Sequence, residues 1–227
     1  MKKFVVSVLA LFVLFSGTAF ATDEVPKDLS VVVNGVEIAS QSPHFIRDGK
    51  TYVSVEAFTE LFGHIGYDSE SGEVNGYKLG DTIVRDGIVF AWVKELAKAV
   101  QAQSVQWDEQ NREVYILALP PEIVPLHEES VPGMGIHYAN PQDMAAGGPV
   151  YCVFEGKLYC VEYILPTSLV DSKASTVLEA MKGYPSPAVV ETAVDYNGNP
   201  GLEFEHYTFH LYFYSADDRS HITGAPH

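Results

Sequence analysis

The sequence has little positive charge, almost no cysteine and no long apolar run beyond its first 15 residues. Its 227 residues include 14 Lys and Arg against 30 Asp and Glu, and only two cysteines. Both halves are acidic, with net charges of −8 over residues 22–118 and −10 over residues 119–227. Because neither half offers a basic face for phosphates, the sequence disfavours binding to nucleic acid or to anionic membranes.

The N-terminus has the three parts of an export signal. Lys2 and Lys3 precede a mainly apolar run over residues 4–15, and residues 19–21 form an Ala-x-Ala cleavage site. The apolar run is shorter than the ~20 residues that a membrane-spanning helix needs. The sequence therefore predicts a signal peptide over residues 1–21, an exported chain in the extracytoplasmic space or cell envelope, and no membrane span after signal removal.

A hairpin motif occurs twice in the first half. Arg47-Asp48-Gly49 and Arg85-Asp86-Gly87 are each flanked by β-branched or aromatic residues, and each precedes a short helical stripe. An earlier Asn34-Gly35 pair predicts a further hairpin turn. The pattern predicts two hairpin–helix–strand units that bury a shared apolar face.

Residues 29–118 resemble the N-terminal-like domain of copper amine oxidases, a small α+β stalk module of exported proteins of Gram-positive bacteria. The resemblance rests on four short matches: Val33-Asn34-Gly35, residues 43–55, Glu60–Gly63 and Tyr67-Asp68. It departs at residues 54–56, where Ser-Val-Glu replaces the family's Pro-Leu-Arg-like tripeptide. The resemblance implies an accessory or spacer module without amine oxidase activity, since the oxidase's catalytic domain is separate. The chain has neither a His-x-His pair nor an Asn-Tyr pair.

The composition changes after residues 119–131, a Pro-rich segment that is predicted to be a linker. Residues 119–227 hold 9 of the 13 tyrosines and 11 of the 13 prolines. Residues 132–222 are predicted to form an aromatic-rich domain. Its segments Met134–Tyr138 and His206–Tyr212 resemble a family of uncharacterised bacterial exported domains without an established activity. The predicted fold class is α+β: a small two-repeat α+β stalk module, followed by a mostly antiparallel β domain with one or two helices.

The two cysteines, Cys152 and Cys160, flank a predicted hairpin turn. A three-residue loop, Glu155-Gly156-Lys157, sets them opposite each other within disulfide range, whereas a two-residue loop, Glu155-Gly156, points them to opposite faces. In an exported protein a disulfide is the first expectation. Free buried thiols and a metal pair are the alternatives.

Three histidines, His137, His206 and His210, are candidate metal ligands because they lie in the two segments of the second resemblance. His206 and His210 share one face of a predicted strand, but four residues span about 13 Å, which is too far for one zinc ion. A single-ion site must combine one of them with another group, and His137 is the first expectation. The alternative is that each histidine hydrogen-bonds a tyrosine or a backbone carbonyl.

Other chemical motifs are incomplete. His127-Glu128 begins like a zinc-protease helix, but the second histidine is missing. Asp195 opens a calcium-like spacing, but Pro200 stands where a glycine is needed and His206 where a glutamate is needed. No Gly-x-Ser-x-Gly nucleophile elbow is present. The sequence therefore assigns no catalytic residue and identifies no cofactor.

Two functions are consistent with these features. The first is an exported, non-catalytic binding or accessory protein, whose stalk module presents the aromatic-rich domain to an unknown extracytoplasmic ligand or protein. The alternative is a metal-dependent enzyme or a metal-binding protein that uses His137 with His206 or His210.

Overall fold

The computed structural model describes residues 28–130, 134–144, 147–167, 181, 183–198 and 202–223. The predicted signal peptide over residues 1–21 lies outside this part of the chain. Within it, no helix combines the length and the apolar character that crossing a membrane requires.

Seventeen strands and four helices form the regular structure of the described residues. The strands of the first half are β1 (Ser30–Val33), β2 (Val36–Glu37), β3 (Phe45–Arg47), β4 (Lys50–Ser54), β5 (Tyr67–Asp68), β6 (Glu73–Val74), β7 (Tyr77–Lys78), β8 (Thr82–Arg85), β9 (Ile88–Trp92), β10 (Ser104–Asp108) and β11 (Glu113–Leu117). Those of the second half are β12 (Val124–Pro125), β13 (Ile136–Ala139), β14 (Pro149–Phe154), β15 (Lys157–Pro166), β16 (Glu191–Tyr196) and β17 (His206–Tyr212). The helices are α1 (Val55–Glu60), α2 (Val93–Ala99), α3 (Pro141–Met144) and α4 (Ala216–Thr223).

Two-residue turns explain why strands dominate the fold. At five turns both central residues have a positive φ, between 46° and 88°. This is the geometry of a type I′ turn, whose twist matches that of the paired strands it connects. The five turns close the hairpins β1–β2, β3–β4, β6–β7, β8–β9 and β14–β15, and their central residues are Asn34-Gly35, Asp48-Gly49, Asn75-Gly76, Asp86-Gly87 and Glu155-Gly156.

The two Arg-Asp-Gly hairpins form one four-stranded sheet. They meet through antiparallel pairing of β4 with β9, which gives the order β3-β4-β9-β8. Each inner strand continues into a short helix, α1 after β4 and α2 after β9. A second sheet, β10-β11-β1-β2, pairs β1 parallel with β11, and a three-stranded sheet, β5-β6-β7, lies between the two repeats in the chain.

The second half of the chain forms a six-stranded antiparallel sheet with the order β12-β13-β14-β15-β17-β16. Its first strand, β12, comes from the segment that was predicted to be a linker. The long strand β15 lies in the middle, between β14 and β17. Tyr151 and Leu158 on these strands join the main apolar core, whereas Cys152 and Cys160 form a separate buried cluster with Tyr159. The two faces of the sheet therefore have different surroundings.

The main apolar core includes residues from both halves of the chain. Its buried members include Val31, Phe58, Leu96, Leu158, Val161 and Leu165. Polar contacts also join the halves: the hydroxyl of Tyr115 accepts a hydrogen bond from the backbone N–H of Leu158 at 3.1 Å, and the Asn34 amide donates to the carbonyl of Pro185 at 3.0 Å. The domain boundaries near residues 118 and 132 stay predictions, but the segments on either side are in direct contact.

The predicted fold class, a two-repeat α+β stalk module followed by a β domain, is wrong. The structure is a β-rich fold with several antiparallel sheets, and its helices are minor elements. The helical stripes in the sequence support only six residues in α1 and seven in α2. Such helices are too short to be stable without packing against other elements. The strands β6, β7 and β12 add to the sheet content at positions where no strand was expected.

Candidate metal centre

A β-bulge sets the two cysteines directly opposite each other. The turn has only two residues, Glu155-Gly156, and the register then shifts between Cys152 and Val153, so that Cys152 pairs with Cys160. A two-residue loop was predicted to point the cysteines to opposite faces of the hairpin. This prediction does not hold, because the bulge adds one residue to β15. Both cysteines are free thiols and fully buried. Their disulfide stays a prediction.

Three more side chains of this sheet lie beside the cysteines. His137 in β13 is the cross-strand partner of Cys152. Glu162 follows Cys160 by two residues in β15 and so points to the same face. Its cross-strand partner in β17 is His210. We call these five residues the thiol–histidine cluster: His137, Cys152, Cys160, Glu162 and His210.

The cluster contains two overlapping sets of metal-donor atoms. In one set, the donors of His137, Cys152 and Glu162 all lie within 4.8 Å of one another. In the other set, the same holds for Cys160, Glu162 and His210. Glu162 belongs to both sets and joins them into one group of five potential ligands.

Hydrogen bonds shift the pKa values of His210 and Cys160 in opposite directions. Burial disfavours a charged imidazole, but hydrogen bonds to Cys160 and Glu162 outweigh it and raise the pKa of His210 to about 10. Burial likewise disfavours a thiolate at Cys160, yet hydrogen bonds from Cys152 and His210 lower its pKa. His210 is thus held as an imidazolium beside a carboxylate and an acidic thiol.

The other two buried members of the cluster respond differently to burial. At Glu162 burial disfavours the carboxylate, but the hydrogen bond and charge of His210 outweigh it and lower the pKa. At Cys152 burial dominates, and the pKa of this thiol is raised well above its ordinary value. Cys160 is therefore the more acidic of the two adjacent thiols.

His210 is held from both sides by carboxylates. Its Nδ1 lies 2.9 Å from Oε1 of Glu162, and its Nε2 lies 3.0 Å from Oδ2 of Asp195. The ring also stacks on Tyr212, with centroids 5.7 Å apart and planes 4° from parallel. The Asp195 side chain is 62% exposed, so this end of the cluster reaches the surface.

His137 is held by a second histidine from the predicted linker. Nε2 of His127 lies 3.1 Å from Nδ1 of His137 and accepts a hydrogen bond from the backbone N–H of His137 at 3.2 Å. Pairing of β12 with β13 brings the two residues together, since the backbone N–H of Leu126 donates to the carbonyl of His137. Burial lowers the pKa of His137.

The structure brings together some of the residues that were predicted from the sequence as ligands. His137 and His210 both lie in the cluster and are linked through Glu162, although neither donor set contains both. His206 is buried and pairs with Pro166 of the neighbouring strand β15. Its Nδ1 contacts the carbonyl of Phe204 at 2.8 Å. His206 belongs to neither donor set.

Sequence reasoning missed Glu162 and the outer contacts of the cluster. Glu162 lies within an apolar run of β15, and a charged residue there is unusual enough to be a signal. His127 and Asp195 were considered only for motifs that proved incomplete. Their positions beside the cluster depend on strand pairing between distant parts of the chain.

The donor atoms of the cluster suit a borderline transition metal. Zinc binds Cys sulfur at about 2.3 Å, and His nitrogen and carboxylate oxygen at about 2.0–2.2 Å, with four ligands in a structural site. Tetrahedral geometry at these lengths puts neighbouring ligand atoms roughly 3.3–3.8 Å apart. Each donor set supplies three atoms that lie within 4.8 Å of one another, so each can provide three of the four ligands of such a site.

No protein-family model matches the chain, and no curated protein matches it. The resemblance of residues 29–118 to the copper amine oxidase N-terminal-like domain therefore stays a prediction. Among solved structures, the crystal structure of the hypothetical protein TTHB210 from Thermus thermophilus is similar, at 19% identity and a TM-score of 0.37. The match covers 45% of this chain and 92% of that one. A likeness this weak assigns neither fold nor function.

Proposed function

We propose that this chain is an exported, non-catalytic zinc-binding protein whose site is the thiol–histidine cluster. The observation that carries the proposal is the pair of donor sets that share Glu162, with the donors of each set within 4.8 Å of one another. The role is binding rather than catalysis because the two sulfur atoms are fully buried and leave little access for a substrate.

Zinc fits the donor set better than other common metal ions. Magnesium and calcium bind through oxygen ligands, and sites whose ligands are all sulfur favour copper(I). Zinc binds sulfur, nitrogen and carboxylate oxygen donors alike. Burying Glu162 and its neighbours costs free energy, which is offset when the charges bind a cation.

The contact between His210 and Asp195 supports the same proposal. Histidines that bind a metal through one nitrogen commonly donate the other N–H to a carboxylate, which orients the ring. Here Nδ1 lies beside Glu162 and Cys160, while Nε2 contacts the Asp195 carboxylate at 3.0 Å. The ring is thus held with Nδ1 toward the other donors, and loss of the Nδ1 proton would make it a ligand.

The test is zinc titration of the purified, fully reduced chain against a chelating indicator. We expect one zinc ion per chain, and Cys160→Ser and Glu162→Gln should each weaken binding by more than the 10–100-fold typical of an outer-contact substitution. Cobalt(II) offers a second readout, because thiolate ligation gives an intense charge-transfer absorption that Cys160→Ser should remove.

His44→Gln is the matched control, since His44 is a partly buried histidine whose Nε2 contacts the backbone carbonyl of Ile38, away from the cluster. It should leave zinc affinity unchanged. A folded, reduced chain that takes up no zinc at micromolar concentration would overturn the proposal. Tight binding of copper(I) with no zinc binding would overturn the choice of metal.

The redox state of the cysteines must be controlled in this experiment. A disulfide between Cys152 and Cys160 removes both thiolate ligands, so the disulfide and the metal compete for the same sulfur atoms. Oxidised protein should therefore bind zinc far more weakly than reduced protein. Thiol counting before each titration tells the two states apart.

A second candidate function is thiol chemistry at Cys160. The lowered pKa of Cys160 and the chain of contacts through His210 to Asp195 resemble the arrangement of an activated cysteine nucleophile. Rapid, selective alkylation of Cys160 by iodoacetamide in the metal-free protein would favour this function. Slow alkylation, expected for a fully buried sulfur, would favour metal binding.

A further inference from the structure

The hydrogen bonds around His127 determine which of its ring nitrogens carries a proton. Its Nδ1 contacts the backbone carbonyl of Glu129, and a carbonyl oxygen can only accept. Nδ1 of His127 therefore carries the hydrogen. The backbone N–H of His137 donates to Nε2 of His127 at 3.2 Å, so Nε2 presents a lone pair.

The same reasoning extends to the ring of His137. Its Nδ1 lies 3.1 Å from Nε2 of His127, which is already an acceptor. For the two ring nitrogens to be hydrogen-bonded, Nδ1 of His137 must be the donor, and the lone pair of His127 Nε2 then accepts from both this N–H and the backbone N–H of His137. A neutral imidazole has one N–H, and this assignment leaves the lone pair of His137 on Nε2.

We propose that His127 is a positioning residue for the metal site: it holds His137 in the tautomer whose Nδ1 carries the hydrogen and whose Nε2 lone pair is free to bind the ion. This inference rests on the proposed function, because the ion is the zinc of the thiol–histidine cluster. Among the described residues, His127 serves His137 as Asp195 serves His210, so both histidine ligands have an outer partner.

The position of His127 in the fold supports this role. The residue lies shortly after β12, in the Pro-rich segment whose composition suggests a spacer. Pairing of Val124 with Ala139 and of Pro125 with Tyr138 fixes that segment against β13. The pairing sets the distance between the two rings, with centroids 5.4 Å apart. A spacer without such pairing could not hold an imidazole in register with a ligand.

The first test uses the metal-free full chain and needs no bound ion. Long-range ¹⁵N–¹H correlation spectra of ¹⁵N-histidine-labelled protein distinguish the two neutral tautomers, and the His137→Asn spectrum identifies the His137 signals. We expect His137 to be protonated at Nδ1 in the wild type. In His127→Phe the Nε2–H tautomer should become the main form. An Nε2–H tautomer in the wild type would overturn the inference.

The second test measures zinc affinity. His127→Phe should weaken binding about 10–100-fold, the usual effect of removing an outer partner of a ligand. His127→Gln keeps an acceptor in the form of its amide oxygen and should retain most of the affinity, which a merely structural role does not predict. It also serves if the Phe variant does not fold. The His44→Gln control should bind like the wild type.

The outcomes separate this inference from the proposed function. A wild-type chain that binds no zinc overturns both, whatever its tautomer. A chain that binds zinc with unchanged affinity in His127→Phe overturns the inference alone. Equal losses in His127→Phe and His127→Gln also contradict it, because the accepting atom would then be irrelevant.

Discussion

The two regions of the molecule bury different kinds of polar groups. In the described part of the first region, residues 28–119, the buried polar side chains are all uncharged: Asn34, Thr51, Ser54 and Thr59. In the described part of the second region, residues 120–223, they are Glu162, His206, Thr208 and Arg219. Two of the uncharged groups bond to the backbone: the Asn34 amide donates to the carbonyl of Ala118, and the Ser54 hydroxyl caps α1 by accepting from the N–H of Ala57.

The difference shows where a buried charge needs a further explanation. The Arg219 guanidinium has a structural one: it lies over the Tyr212 ring at 3.6 Å and donates to Glu191 and to the carbonyl of Tyr214, both at 2.9 Å. Glu162 pairs instead with His210, whose raised pKa favours the imidazolium, and it also lies within 4.8 Å of donor atoms of His137 and both cysteines. The first region therefore provides a scaffold, and the second carries the candidate chemistry.

The largest expected effect comes from breaking the core of the first region. Phe58 in α1 is fully buried, and Phe58→Ala should lower the free energy of unfolding by about 3–5 kcal/mol. If that region is only scaffold, the folded fraction of the variant should keep the zinc affinity of the wild type. Urea denaturation measures the first quantity and zinc titration the second. A loss of affinity in folded protein would mean that the first region shapes the site.

Breaking the charge cluster should have a smaller effect on stability. Glu162→Leu leaves the His210 imidazolium without its closest carboxylate, and we expect a loss of about 2–3 kcal/mol in the metal-free protein. Adding His210→Leu removes the uncompensated charge and should restore most of that loss, because a buried ion pair is often no more stabilising than apolar residues. Chemical denaturation of both variants checks this.

The double variant sharpens the comparison between the regions. It should fold like the wild type yet bind zinc far more weakly, since Glu162, which belongs to both donor sets, is gone together with His210. A double variant that is as unstable as the single one would indicate that the pair stabilises the fold. Glu162 and His210 would then stabilise the fold, as Asn34 does in the first region.

Much of the first region could be predicted from the sequence because its signals are local. Asn-Gly and Asp-Gly pairs carry their turn geometry with them, so the turns at Asn34, Asp48 and Asp86 follow from residue type. The stripe that begins at Val93 predicted helix α2 for the same reason. The class of the fold could not be predicted, because the length of each helix and the pairing of β1 with β11 depend on distant packing.

The site shows the limit of local signals more clearly. His137, His210 and the two cysteines could be named from the sequence as chemically capable residues. Their assembly depends on a one-residue bulge beside Cys152 and on pairing of Glu162 with His210, 48 residues apart. No pattern within a single strand encodes either feature. Strand register is therefore the feature of the site that could not be predicted from the sequence.

A contact between the regions should have an intermediate effect when it is removed. The Asn34 amide donates to the carbonyls of Ala118 and Pro185 and accepts from the N–H of Ala118. Asn34→Gly keeps the positive φ of the turn but loses these bonds, and we expect a loss of about 2 kcal/mol. Urea denaturation followed by tryptophan fluorescence reports it, since both tryptophans lie in the first region.

Asn75→Gly is the matched control, because Asn75 has the same turn geometry but a single side-chain bond, to the carbonyl of Ala99 at 3.3 Å. It should cost less than Asn34→Gly. In wild-type protein, tryptophan fluorescence and the circular dichroism of the tyrosine-rich second region should report one transition, because the apolar core is shared. Two separate transitions would show that the regions unfold independently.

The smallest effect is expected at a surface carboxylate of the first region. Asp81 accepts hydrogen bonds from the ammonium of Lys50 and the hydroxyl of Tyr52, and these bonds lower the pKa of Asp81 below its ordinary value of 3.8. A carboxyl whose pKa is lower in the folded than in the unfolded chain stabilises the fold above the ordinary pKa. That contribution is lost as the pH falls through the folded value.

Asp81→Asn should therefore be less stable than wild type at neutral pH, by a small amount because the site is partly exposed to solvent. The difference should disappear below the folded pKa, where the wild-type carboxyl is also uncharged. Asp86→Asn, at a side chain that is 84% exposed, is the matched control for replacing a surface carboxylate of this region. Thermal unfolding of the three proteins between pH 2 and 7 measures the difference. If Asp81→Asn is still less stable than the wild type at pH 2, the charge of Asp81 is not the cause of the difference. The geometry of the contact with Lys50 and Tyr52 would then account for it.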